Sequence, residues 1–213
     1  MATTLNTGLA FDAVIFDVGN VLIDYDPHYL YDKLIANPED RNRFLAEVCT
    51  PNWNEKQDLG RSFAQGIGER LALFPQHEKL IRAYDERWQE MVRGPIEGSV
   101  ALLEELAAAG MPLFALTNYS REKFAETLER FPFFSHFRDI VVSAHEGVVK
   151  PDPYIFDIAI KRFGVDPART LFIDDRFANV EAARVAGLEA LHFSSPEKLR
   201  ADLSALGIMA RAA

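Results

Sequence analysis

The chain has a single cysteine in 213 residues, Cys49, which excludes an internal disulfide framework and suits a reducing compartment. It has no run of about 18 apolar residues, so no membrane-spanning helix is expected. Residues Met1 to Ala10 lack the basic start and sustained apolar core of a signal peptide. They read as a loose N-terminus on a cytoplasmic protein. Positive charge is scarce as well: 23 basic residues stand against 32 acidic ones, a net charge of −9. That balance argues against generic nucleic-acid or anionic-membrane binding. A phosphorylated small molecule stays open, because only the local field of a site matters there. No Cys/His cluster occurs, so zinc is not expected. His28, His145 and His192 have no ligand spacing and read as surface or structural residues. There is no internal repeat and no low-complexity tract.

What is present is an ordinary globular composition, 48% apolar and 26% charged. The length suits one core, or one core with a small appended domain. The organising stretch is Phe11 to Asp26. Val14, Ile15 and Phe16 form the apolar run of a strand buried on both faces, ending in Asp17 and then Gly19-Asn20. An ionised Asp there needs a cation or hydrogen bonds, unless it only caps the turn. From about Pro27 to Arg93 the periodicity is helical with almost no strand signal. Asn37-Pro38-Glu39-Asp40 reads as a helix start. Leu80, Tyr84, Trp88 and Met91 make a longer stripe, read as core. Gly94-Pro95 breaks the pattern.

From Ile96 the chain alternates helix and strand. Strands are expected at Pro112 to Leu116, Ile140 to Val142, Leu171 to Ile173 and Ala190 to Phe193. Helices are expected after Ser120 (with Phe124, Leu128 and Phe131 inward), at Pro151 to Phe163, at Asn179 to Ala186 and after Ser195. Alternation of this kind predicts an α/β fold: a doubly wound, parallel, five-stranded Rossmann-like sheet with an inserted helical cap. The expected division is a core of residues 1–24 and 95–213 and a cap of residues 25–94.

The chemistry lies at the strand ends. Asp17, Thr117-Asn118 and Asp174-Asp175 each follow a buried strand, and Lys150 sits in the loop after a fourth. In a parallel sheet these fall on one edge, where ligands bind. Close carboxylates cannot all stay ionised without a counter-charge. Oxygen ligands suit Mg²⁺, which favours substrate phosphate as a further ligand. Thr117 and Lys150 are suited to phosphate. Taken singly, Thr117 is equally an end-of-strand residue, Lys150 a solvated loop lysine and Asp174-Asp175 a helix cap. Their joint occurrence after three strands argues against coincidence.

These motifs resemble those of the haloacid dehalogenase superfamily, most of whose members are phosphatases. Asp17-Val18-Gly19-Asn20-Val21 is similar to the first motif, Leu116-Thr117-Asn118 to the second, Lys150-Pro151-Asp152 to the third, and Phe172-Ile173-Asp174-Asp175 through Asn179 to the fourth. The resemblance implies Asp17 as nucleophile, with Lys150 beside it as the second catalytic residue. It implies Asn20, Thr117, Asn118 and Lys150 as substrate-binding residues. The metal would be held by Asp17, Asp175 and the carbonyl of Gly19, with Asp174 and Asn179 in support. The implied activity is a Mg²⁺-dependent phosphatase of a small phosphorylated metabolite, acting through an aspartyl-phosphate, as a monomer or homodimer. The form of the first motif resembles the branch containing sugar-1-phosphate phosphatases and the phosphatase domain joined to some epoxide hydrolases.

One departure stands out. The family's second Asp, an acid and base in many members, is Gly19 here. Asp24 and Asp26 are the nearest carboxylates in sequence. Without an acid, leaving groups of high pKa should be poor. Two other readings remain: a metal-free 2-haloacid dehalogenase using the same Asp, and a non-catalytic binding module. Trp53, Asp58 and Arg61 are expected where the cap faces the site.

Overall fold

The computed structural model describes residues 11–209; the expected loose N-terminus lies outside them. Strand β1 (Ala13–Phe16) leads through a tight turn to β2 (Ile23–Tyr25). Five helices follow: α1 (His28–Leu34), α2 (Pro38–Glu47), α3 (Pro51–Asp58), α4 (Phe63–Leu73) and α5 (Glu78–Glu86). Strand β3 (Val92–Pro95) then returns antiparallel to β2. The rest alternates: α6 (Glu97–Ala108), β4 (Leu113–Thr117), α7 (Arg121–Arg130), β5 (Asp139–Val142), α8 (Ser143–Glu146), α9 (Pro153–Phe163), β6 (Thr170–Asp174), α10 (Phe177–Val185), β7 (Glu189–His192) and α11 (Pro196–Ala205). The main sheet has five strands in the order β5-β4-β1-β6-β7, every pair parallel. This is the expected α/β, Rossmann-like architecture.

The two faces follow from the two-residue period of a strand. Val14 and Phe16 point to one side, with Leu103 and Leu106 of α6 and Leu199 and Leu203 of α11 in the same apolar cluster. Ala13 and Ile15 point to the other, toward Ile155 and Phe156 of α9 and Val180 and Ala183 of α10. Both faces being covered explains why the strands read as unbroken apolar runs.

Helix starts match the chemistry of their caps. Asn37 accepts from the N–H groups of Glu39 and Asp40, with Pro38 at the first helical position. Ser120 and Ser195 cap α7 and α11 through Lys123 and Lys198. Other expectations need correction. The stripe through Trp88 and Met91 is not one helix, because α5 ends at Glu86 and a 3₁₀ turn, Trp88–Met91, follows. Leu128 is exposed rather than inward. Helix α9 starts at Pro153, capped by Asp152 accepting from the Tyr154 N–H. Helix α10 starts two residues early, at Phe177. The β2–β3 pair was not anticipated, because strands this short, carrying Asp24, Arg93 and Gly94, show no apolar alternation. Among the described residues no helix is long and apolar enough to cross a membrane.

Gly98 of α6 sits where α11 begins. A Cβ built there would lie 2.6 Å from Cβ of Pro196 and 3.0 Å from its Cγ. In a free helix Gly→Ala gains about 1 kcal/mol, whereas overpacking against a rigid ring costs about 1–3 kcal/mol. Gly98→Ala should therefore lower the urea midpoint. Adding Pro196→Ala should recover part of that loss, giving a favourable coupling in a double-mutant cycle.

Candidate active site

The parallel order brings the carboxyl ends of β4, β1 and β6 side by side. Lys150, from the loop after β5, reaches under all three. Its Nζ lies 2.9 Å from Oδ1 of Asp17, 2.6 Å from Oδ2 of Asp174 and 2.9 Å from the carbonyl oxygen of Leu116. It is 1% exposed, so these three acceptors take the place of water. Oδ1 of Asp17 also accepts the Val18 N–H at 2.7 Å. Asp174 accepts from the N–H of Arg176 at 2.8 Å and from Nδ2 of Asn179 at 2.9 and 3.0 Å. Oxygens of Asp17, Asp174 and Asp175 all lie within 4.8 Å of one another.

Burial pushes the Asp17 carboxyl up; Lys150 pulls it down, and the charges of Asp174 and Asp175 push it up again. Burial and Asp174 likewise raise Asp175. Desolvation disfavours the Lys150 ammonium, but Asp17 and Asp174 outweigh it and hold its pKa above the ordinary value. One ammonium faces three carboxylates, so the cluster is short of positive charge. Its donors are all oxygens, which suits a hard divalent ion such as Mg²⁺. The buried side-chain oxygen of Asn179 also has no partner among the described residues.

The residues expected here are brought together, though several side chains are committed differently. Asp17, Gly19, Asn20, Asn118, Lys150 and Asp175 line one cavity of about 430 Å³, the size of a small-ligand site. Asn118 does not present its amide freely. It donates to the Lys150 carbonyl at 2.9 Å and accepts the Lys150 N–H at 2.8 Å, so it positions that loop. Asn20, at a left-handed φ of 55°, accepts the Tyr25 N–H and shapes the turn into β2. Lys150 was expected to pair with Asp17 and phosphate, yet its three donors are taken by protein. Thr117 is buried behind the cavity wall, with its hydroxyl unpartnered.

In the helical segment only Asp58 of the three expected residues lines the cavity. Trp53 is buried, with its indole N–H on the Gly66 carbonyl. Arg61 bonds Gln57, Glu69 and the Trp53 carbonyl. Both are packing residues, because the apolar indole and the many-donor guanidinium find full partnership within α3 and α4.

Asp26, one of the two carboxylates nearest in sequence, lines the cavity, whereas the sequence reading missed Tyr25, His28, Asn54, Glu55 and Arg176, which also line it. Arg176 directly follows Asp174-Asp175, the one local signal available for any of them. His28 lies in the cavity wall, with its Nδ1 2.7 Å from Oδ1 of Asp26. Cys49 lines the cavity too, but burial pushes its thiol up to about 12, which makes it a poor nucleophile.

Residues 11–187 match the haloacid dehalogenase-like hydrolase family. An N-acetylmuramic acid 6-phosphate phosphatase of Pseudomonas aeruginosa is 32% identical over 82% of this chain and 78% of its own. A sesquiterpene phosphatase of Aspergillus oryzae is 28% identical over 86% of this chain and 90% of its own. A haloacid dehalogenase family enzyme of Bacteroides thetaiotaomicron, solved with magnesium and inorganic phosphate, shares the fold, with a TM-score of 0.68 and 20% identity over 87% of this chain and 95% of its own. The chain therefore belongs to the haloacid dehalogenase-like hydrolases.

Proposed function

We propose that the chain is a Mg²⁺-dependent phosphatase of a small phosphorylated metabolite, with Asp17 as nucleophile and residues 25–94 as a cap over a core of residues 1–24 and 95–213. The observation that carries this reading is the cluster of Asp17, Asp174 and Asp175 against one ammonium, with Asp17, Asp175 and Lys150 in the wall of a cavity of about 430 Å³. The names of the relatives support it, since both act on phosphate esters.

In this reading a carboxylate oxygen of Asp17 attacks phosphorus and the ester P–O bond breaks, leaving an aspartyl-phosphate that water hydrolyses. Lys150 and the Val18 N–H fix the rotation of the Asp17 carboxylate through Oδ1. Asp17, Asp175 and the Gly19 carbonyl would hold Mg²⁺, which when bound neutralises charge on the transferring group. Asn179 and Lys150 restrain Asp174, which in turn fixes the ammonium.

The reading is tested by a screen of phosphate esters and 2-haloacids with Mg²⁺ or EDTA. Phosphate release that needs Mg²⁺ is expected; halide release unaffected by EDTA would overturn it in favour of the dehalogenase. Asp17→Asn should abolish phosphate release while the circular dichroism spectrum stays native. Asp175→Ala should raise the Mg²⁺ concentration for half-maximal activity, with little change in melting temperature. Lys150→Met should lose most of the rate. It should also lower stability by about 3–5 kcal/mol, the cost of stripping a buried charge of its partner, read from denaturant unfolding.

A further inference from the structure

The first motif leaves the expected acid position empty. A Cβ added at Gly19 would meet nothing within 4 Å. Beside it lies a second, smaller cavity of about 100 Å³, walled by Gly19, Asn54, Asp58, Asn118 and Tyr119 among others. Asp58 lines both this space and the larger cavity that holds Asp17. Among the described residues no other carboxylate lines both. We propose that Asp58 is the proton donor to the leaving oxygen, delivered by α3 into the space beside Gly19. The inference rests on the phosphatase reading and deepens it.

The backbone at Asp58 is fixed to the core. Ser143, fully buried, donates its hydroxyl to the Asp58 carbonyl at 2.6 Å and accepts the Tyr119 N–H at 3.0 Å. Asn54 donates to Oδ2 of Asp58 at 3.3 Å, which leaves Oδ1 as the oxygen better placed to carry a proton. Asp58 is also the last residue of α3, where the helix dipole disfavours a carboxylate. Burial, then the charge of Glu55, push its pKa up to about 7, so the acid form is populated near neutrality.

The nearer carboxylates in sequence serve less well. Asp24 accepts from the Tyr29 hydroxyl at 2.7 Å, pairs with Arg93 at 3.6 Å and does not line the larger cavity. Asp26 does line it, but its Oδ1 holds both the N–H and the ring of His28, away from the Gly19 space.

As Asp17 bonds to phosphorus and the ester P–O bond breaks, the Asp58 proton passes to the departing oxygen, giving a neutral alcohol and an Asp58 carboxylate. That carboxylate then takes a proton from the water that attacks the aspartyl-phosphate. Phosphate leaves, Asp17 is regenerated and Asp58 is acid again.

The test compares wild type, Asp58→Asn and Asp58→Glu on a series running from nitrophenyl to alkyl phosphates, with kcat/KM plotted against leaving-group pKa. Wild type should show a shallow slope. Asp58→Asn should steepen it, losing about 10²–10⁴-fold on alkyl esters and far less on nitrophenyl phosphate, and Asp58→Glu should partly restore the shallow slope. An equal loss on every ester, or none, would overturn the assignment, as would a steep slope in the wild type. Absence of phosphate release from every ester in the wild type would instead overturn the phosphatase reading itself. Matching circular dichroism spectra for the three proteins exclude misfolding as the cause.

Discussion

The site depends on one buried ammonium. Lys150 could not be taken out of water alone, and its three donors are met by acceptors from β4, β1 and β6, three adjacent strands of the sheet. It therefore ties their carboxyl ends together, and they cannot splay without uncovering it. A buried ion pair of this kind is weak evidence of stability, because desolvation offsets much of the attraction. What it does is organise. One positive charge shared between Asp17 and Asp174 keeps both carboxylates close to Asp175, at a spacing their repulsion would otherwise oppose.

Around that core of charge, polar side chains serve mainly as braces. Asn118 grips the Lys150 backbone at two points, and Asn179 grips both oxygens of Asp174. Asn20 holds the start of the β2–β3 pair, which joins the helical segment to the sheet. That segment is further seated by the Lys123–Asp85 pair at 2.8 Å, by the Phe63 N–H on Glu122 at 3.1 Å and by the Trp88–Tyr119 ring contact. Apolar packing seats it too, since Trp53, Phe63, Tyr84 and Trp88 belong to the same buried cluster as Val14, Phe16 and Phe124.

Much of this was legible in the sequence, for identifiable reasons. The main sheet was readable because strands covered on both faces become apolar runs, and the site because Asp17, Thr117 and Asp174 terminate those runs. The β2–β3 pair was not, since β2 has only one fully buried residue and β3 contains Gly94 and Pro95. Side-chain commitments were hidden as well. Nothing in Leu116-Thr117-Asn118 says that Asn118 will turn to a backbone 32 residues away while Thr117 stays unpaired. The helical segment was the least legible, because Trp53 and Arg61 look like recognition residues and are packing ones. Asp58 differs from them only in falling at the end of α3, where the chain meets Ser143.

The proposed separation of nucleophile, Asp17, from proton donor, Asp58, has a consequence for selectivity. Asp17 is fixed to β1, whereas Asp58 belongs to α3 and reaches the site only while that helix is seated against Ser143 and the adjoining loop. A carboxylate at position 19 would travel on one loop with Asp17, and any bound ester would meet both. With Gly19 in that place, an ester too bulky for α3 to seat would still contact Asp17 but lack its acid. Discrimination would then fall on turnover more than on binding, because the interaction lost is one needed only as the P–O bond breaks. Activated esters, which need no proton, would escape it. In the proposed mechanism, glycine at position 19 thus ties the acid chemistry of the core to the seating of the helices above it.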